Sequence, residues 1–146
     1  MLHFERALAD ALDAADAPQP GTDALAAVAP EDWGGLRPRP HPALTRLALS
    51  HDVPALWAEM RAEAPPRAPV RQPAPVEWAV WRDRELVTHY VSLSAAEAAV
   101  LDGALDGADF ATICERLCAV LPETEVAAAA VGALCAALAR GQLAGL

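Results

Sequence analysis

The chain has 146 residues, a length that suits one ordinary domain or two very small ones and excludes an enzyme of several domains. Apolar residues make up 54 % of it, enough to build a core and too many for wholesale disorder. With 20 acidic side chains against 11 basic ones the net charge is −9; a surface of that sign repels phosphate backbones and anionic lipid, so neither a nucleic acid nor a membrane surface is expected as a partner.

No window approaches the ~18–20 uncharged apolar residues of a spanning helix, and the start Met1-Leu-His-Phe-Glu-Arg6 lacks the basic-then-apolar order of a secretory signal. The 3 cysteines include no Cys-x-x-Cys pair, which argues against a disulfide framework and for a reducing, cytoplasmic setting. All 11 basic residues are Arg, and Lys and Asn are absent. Ala is abundant, which blunts helix assignment because Ala favours helices in any context. Net charge is −6 over residues 1–32, +3 over 33–84 and −6 over 85–146, so only the middle can attract an acidic partner.

In chain order, Leu2 to Ala17 predicts a helix, because Phe4, Leu8, Ala11, Leu12 and Ala15 recur at helical spacing while Glu5, Asp10, Asp13 and Asp16 fall elsewhere. Pro18, Pro20 and Gly21 end it, and Asp23–Ala29 adds a short helical stretch. Pro30 to Pro42 is too rich in Pro and Gly for regular structure. Leu44–Val53 alternates imperfectly and reads as a strand. Pro54 then sits in the first turn of a helix reaching Ala62, with Leu56, Trp57 and Met60 apolar. Residues 63–75 read as an extended Pro-rich linker, a plain tether rather than the ligand of a proline-reading domain.

Val76–Arg82 and Glu85–Ser92 are β-type runs around Asp83-Arg84, a hairpin with a two-residue turn. That turn places Val80 opposite Val87, Trp78 opposite His89 and Val76 opposite Val91 on a core face. Trp81 opposite Leu86, Ala79 opposite Thr88 and Glu77 opposite Tyr90 form a second face, more apolar than a solvated one. Ser94-Ala-Ala-Glu97 is a capping box opening a helix to Leu105. Phe110, Ile113, Leu117 and Leu121 mark a second helix, and Pro122 separates a third, Glu123–Arg140, with acids at its positive end and Arg140 at its negative one. Gly141 is a C-cap, and residues 143–146 a short closing strand. The expected class is α+β, mostly helical: a short helical N-terminal segment plus a winged-helix-like β-hairpin and three-helix domain. Its expected parts are a helical and irregular partner-docking region (1–62), the linker (63–75) and a peptide-recognition domain (76–146).

Nothing in the sequence does chemistry alone. Cys114 and Cys118 stand one helical turn apart, but no His or third Cys follows at ligand spacing and Cys135 lies on another helix, so all three read as core thiols. His3, His41, His51 and His89 form no ligand pair, Ser92 and Ser94 have no Gly-x-Ser-x-Gly setting, and the glycines form no phosphate loop. Neither a catalytic residue, a metal nor a cofactor is expected in this chain. The winged-helix order raises DNA binding, but a recognition helix needs Arg, Asn or Gln where the third helix offers Glu123, Thr124, Glu125 and an Ala/Val/Leu run. A DNA-binding regulator and a generic protein-interaction module stand as the alternatives. A β-edge beside an apolar helix suits better a peptide that adds itself as one more strand. The candidate docking edge is Thr88, His89, Tyr90 and Val91 with Trp81 and Leu86, and Val126 and Ala130 of the third helix form its shallow wall.

Arg39-Pro-His-Pro-Ala-Leu44, Leu47 and Asp52-Val-Pro-Ala-Leu-Trp57 resemble the His-Pro-x-Leu…Pro-Val-x-x-Leu-Trp stretch of the MbnC/HvfC-type accessory proteins of ribosomal peptide biosynthesis. Trp78 through Leu93-Ser-x-x-Glu97 to Gly141-x-Leu143 looks like their C-terminal domain, itself similar to PqqD-like precursor-peptide recognition elements. The resemblance covers about residues 30–146, and residues 1–29 depart from the larger helical N-terminal domain of the longer members. It implies a non-catalytic subunit of a heterodimer with a TIM-barrel, multinuclear non-haem iron enzyme. Such a subunit binds the leader of a precursor peptide and presents a residue of it to iron held by the enzyme. Trp33, Arg37, Arg39, His41 and Arg46 of the irregular segment, with Trp57, are then expected to face that enzyme, being residue types suited to anchoring an interface.

Overall fold

The computed structural model describes residues 1–63, 65 and 67–146. In chain order the elements are α1 (Leu2–Asp13), α2 (Asp23–Ala26), a 3-10 turn (Pro30–Gly35), β1 (Arg39–Pro40), β2 (Thr45–His51), α3 (Val53–Arg61), β3 (Arg71–Arg82), β4 (Thr88–Ser92), α4 (Ala95–Asp106), α5 (Phe110–Leu117), α6 (Glu123–Ala139) and β5 (Leu143–Gly145). The class is α+β and mostly helical, with the hairpin followed by three helices. β2, β3 and β4 form one antiparallel sheet in the order β2-β3-β4, and β1 pairs with β5.

The helix boundaries follow from their caps. Ser94 Oγ accepts from the Glu97 amide at 3.3 Å and Glu97 Oε2 accepts from the Ser94 amide at 2.9 Å, the reciprocal pairing of a capping box. Asp109 Oδ1 caps α5 by accepting from the Thr112 amide at 3.0 Å. Gly141, at φ +71°, closes α6 with Gln142 N donating to Ala137 O at 2.9 Å. α1 stops at Asp13 rather than Ala17 because Arg82 takes the carbonyls of Leu12 and Ala14, and Ala14 is extended.

The sheet is a middle layer. Ala79 and Trp81 point to one side, into a core with Val100, Leu101, Ile113, Leu117, Leu134 and Leu138 of α4–α6. Val80 points to the other, among Phe4, Ala7 and Ala11 of α1 and Val53 of α3. Two helical layers thus bury both faces of β3 at its Ala79–Arg82 end, where successive residues are apolar up to Arg82.

Two expectations change. Opposite Trp81 stands His89, opposite Val80 Tyr90, opposite Ala79 Val91 and opposite Trp78 Ser92, so the hairpin register differs by three residues from a two-residue turn at Asp83-Arg84. Asp83 N donates to Val87 O at 3.0 Å and Leu86 N to Asp83 O at 3.2 Å, leaving Arg84, Glu85 and Leu86 as the loop. Leu86 takes φ +62°, the left-handed position that a three-residue hairpin loop needs and usually fills with Gly. Because three is odd, every β4 side chain lies on the opposite face from the expected one.

The second concerns the expected linker, 63–75. Its residues 64 and 66 lie outside the described residues, and Arg71–Pro75 are the first part of β3, where Arg71 stands opposite His51. Pro73 and Pro75 have no amide hydrogen to give, and the ladder accordingly shifts register between Leu49 and His51. Upstream, Arg67 is fastened to α3 by Glu59 at 2.6 Å and to Asp52 at 2.8 Å, and Asp52 accepts from the Val70 amide at 2.7 Å.

Candidate functional site

β4 ends the sheet: among the described residues it pairs with β3 alone. Two backbone hydrogen bonds fix which way β4 faces. Asp83 N donates to Val87 O, and Leu93 N donates to Glu77 O at 2.8 Å. In an antiparallel ladder hydrogen-bonded pairs recur every second residue, so His89 and Val91 also turn their amides toward β3. Thr88, Tyr90 and Ser92 therefore present N–H and C=O outward, an unpaired edge about 17 Å long at ~3.3 Å per residue.

The same three residues send their side chains to the α1–α3 side, sharing it with Val80 and Arg82. Beside them opens a groove of about 630 Å³, lined by Glu5, Leu8, Ala9 and Leu12 of α1, Trp57 and Arg61 of α3, and Val87, Thr88 and Tyr90. Its floor is aromatic: Phe4 meets Tyr90 at 5.1 Å and Trp57 at 6.3 Å, both edge-on. Leu12 and Val87 are 51 % and 50 % exposed on its rim. The Oγ1 of Thr88 is shielded from solvent and has no hydrogen-bond partner.

The hairpin tip is held by Asp83. Its Oδ1 accepts from the Val87 amide at 2.9 Å and its Oδ2 lies 2.6 Å from His89 Nε2. Burial works to raise the Asp83 carboxyl, but the bonds from His89 and Val87 outweigh it and hold the group below its usual range. His89 stacks on Trp81 at 5.4 Å, and Trp81 Nε1 donates to the Arg140 carbonyl at 2.6 Å, which ties the hairpin to the end of α6.

Of the expected docking edge, the structure gathers Thr88, His89, Tyr90 and Val91 on β4, with Leu86 exposed at the tip. Trp81 is buried in the core behind them. The expected wall is elsewhere: Val126 and Ala130 are buried among α4 and α5, Ala130 at 0 % exposure. An Ala-rich helix has small side chains on every side, so its sequence does not reveal which face is covered. The groove beside β4 is instead sided by α1, and its lining residues Glu5, Leu8, Leu12, Arg61 and Val87 are not among the site residues expected from the sequence. The signal for the α1 residues was Leu8 and Leu12 on an amphipathic helix wider in its apolar stripe than one core face needs.

The expected enzyme-facing residues do not form one patch. His41 is 2 % exposed, its Nδ1 accepting from the Ala43 amide at 3.1 Å, and burial pushes its imidazole below the usual value. Arg46 is committed inward, to Asp102 at 2.6 Å, Glu77 at 2.7 Å and the Ala98 carbonyl at 2.8 Å. Trp57 belongs to the groove. Trp33 lies edge-on to Phe110 at 5.6 Å. Arg37 reaches the Gly107 carbonyl at 2.6 Å with its side chain 62 % exposed, and Arg39 is exposed beside Gly145. The Trp and Arg residues that sequence placed together were short-range neighbours, whereas the β2 strand and the β1–β5 pairing turn them to different sides.

Cys114 lies in α5 and Cys118 is its C-cap; Cys118 is exposed and Cys114 and Cys135 are half-buried, so the three are not the core thiols expected. Burial together with the neighbouring Cys118 raises the Cys114 thiol. Among the described residues no group of three His, Cys, Asp or Glu is placed to hold a metal, and no helix is long and apolar enough to cross a membrane. Set against known proteins, the chain matches no family model and no curated sequence.

Proposed function

We propose that this chain is a non-catalytic subunit that takes the leader of a ribosomally synthesised precursor peptide as a fourth strand on β4 and presents it to a TIM-barrel, multinuclear non-haem iron enzyme. The observation that carries the reading is the unpaired backbone of Thr88, Tyr90 and Ser92 at the edge of a sheet whose faces are otherwise covered. Backbone bonding captures an extended peptide with little regard to sequence, and the adjoining side chains select among peptides. The residue resemblance supplies the nature of the peptide and of the enzyme. In this reading the iron and its ligands belong to the enzyme, and the chain contributes binding and positioning. Arg37 and Arg39 are the exposed members of the expected interface, and they are assigned to the enzyme contact together with the half-buried Trp33.

Co-expression tests it. The chain is produced with the iron enzyme and the precursor peptide encoded beside it, and the complex is recovered through a tag on the chain. The expected result is a ternary complex in which Arg37→Glu with Arg39→Glu weakens recovery of the enzyme and leaves the peptide bound. Recovery of neither partner, or turnover of the peptide by this chain alone, overturns the reading.

A further inference from the structure

Given that a peptide strand docks on β4, we infer that α1 is the wall that selects it, and that the occupant is an extended segment with aliphatic side chains at alternate positions and basic residues flanking them. Strand addition fixes the geometry. A residue placed directly opposite Thr88, Tyr90 or Ser92 exchanges backbone bonds with it and sends its side chain to the same face of the sheet. That face holds the groove, so two such side chains, two positions apart, come to rest over Leu8, Leu12, Trp57 and Val87. Leu12 and Val87, half-exposed in the free chain, are covered by them.

Charge decides the flanks. α1 and the residues just beyond it carry Glu5, Asp10, Asp13 and Asp16 within a segment of net charge −6; Asp10 is paired with Arg6 and Asp16 with Arg82, which leaves Glu5 and Asp13 without an ion pair among the described residues, against Arg61 on the α3 side of the groove. An acidic segment laid along this wall meets like charge, and a basic one meets its complement. The same sign argues against a second copy of the chain, since edge-to-edge pairing would bring together two α1 helices and two chains of net −9.

The test uses the full chain and fluorescein-labelled synthetic peptides, followed by anisotropy. One probe alternates Val and Thr between two Lys, a second replaces each Val by Ser, and a third replaces each Lys by Glu. The first is expected to bind at least tenfold more tightly than either of the others. Leu12→Glu, at a half-exposed position, is expected to erase the preference for Val over Ser while the preference for Lys over Glu persists, with the melting temperature unchanged, and Thr88→Pro to abolish binding of every probe. If Thr88→Pro abolishes binding while Leu12→Glu leaves the preference for Val intact, the edge stands and the wall is not α1. If Thr88→Pro changes nothing, or no probe binds, strand addition itself fails and this inference with it. Sedimentation as a dimer that Leu12→Glu disperses would give the groove to a second copy and overturn the peptide as occupant.

Discussion

The guanidinium of Arg82, at the end of β3, donates to the Leu12 carbonyl at 2.6 Å, and its second nitrogen reaches Ala14 O at 3.0 Å and Asp16 at 2.8 Å. One buried arginine thus closes the last turn of α1, satisfying helix-end carbonyls that have no partner of their own. Because α1 is also one side of the groove, the position of that wall depends on the strand beneath it.

Arg82→Leu keeps the apolar stem and removes the fork, leaving two carbonyls without their donor at a part-buried helix end. The expected loss is about 2–4 kcal/mol of unfolding free energy in urea, since hydrogen bonds to charged groups contribute roughly 1.5–3 kcal/mol each and are not additive. A change below ~0.5 kcal/mol, the size of an ordinary surface substitution, would show that α1 is held by Phe4, Ala7 and Ala11 alone.

Proline substitutions along β4 separate the outward amides from the inward ones. Thr88→Pro and Ser92→Pro each remove a donor that faces away from β3, so the hairpin keeps its ladder and the fold survives. Val91→Pro removes a donor to Ala79 in the middle of the sheet, where proline is not tolerated, and is expected to unfold the hairpin. Circular dichroism and melting temperature read the difference. The reverse order, with Thr88→Pro unfolding the hairpin and Val91→Pro tolerated, would mean that the edge assignment is shifted by one residue.

How much of this was legible depended on whether the signal was local. The capping box at Ser94 and Glu97, Pro54 at the start of α3, and Gly141 after α6 are short-range devices, and each is where its sequence pattern places it. The hairpin exists where alternation predicts it, but its register hinges on Leu86 in a left-handed conformation. That conformation is stabilised by the Asp83 side chain and its contacts, and nothing in Arg84-Glu85-Leu86 advertises it. The pairing of β2 with Arg71–Arg82 across the Pro-rich stretch is a long-range choice, and Pro73 and Pro75 argued locally against it. For the site, Thr88–Val91 was readable as the edge strand of the hairpin, and all four residues are half-buried there. The α1 side of the groove was not, because Leu12 comes beside β4 only when Arg82 holds the end of α1 across the sheet.

Gly103 in α4 sits against Ile113: a Cβ there would lie 2.6 Å from Ile113 Cδ1 and closer still to Cγ1. Ala is normally the better helix former by about 1 kcal/mol, yet this contact lies in the core between α4 and α5 where nothing can move aside freely. Gly103→Ala is therefore expected to destabilise by about 1–3 kcal/mol, the usual cost of overpacking. Gly103→Ala with Ile113→Val is expected to recover part of the loss. A stabilised Gly103→Ala protein in thermal melts would show that α5 is free to slide on α4.

Acid should unfold the protein in two stages. His41 is buried and its pKa lies below the ordinary value, first because burial disfavours the imidazolium, with Arg82 adding to the effect. The unfolded chain therefore gains that proton before the folded one does, and stability falls as pH drops below about 6.5, the unfolded value, until the folded group also titrates. The carboxyls of Asp83 and Glu97 behave differently. Burial raises both, but hydrogen bonds from His89 and Val87 in the first case, and from the Ser94 amide and Arg140 in the second, prevail and hold them low. Their contribution is fully present above the unfolded values, about 3.9 and 4.3, and is lost as pH falls through the folded ones. His41→Asn keeps an acceptor near the Ala43 amide and removes the titrating group. Its melting temperature is expected to stay flat from about pH 7 to 5, where the parent declines, and to join the parent's fall below about pH 4. Parallel curves for the two proteins between about pH 7 and 5 would mean that His41 is protonated as readily in the fold as in water.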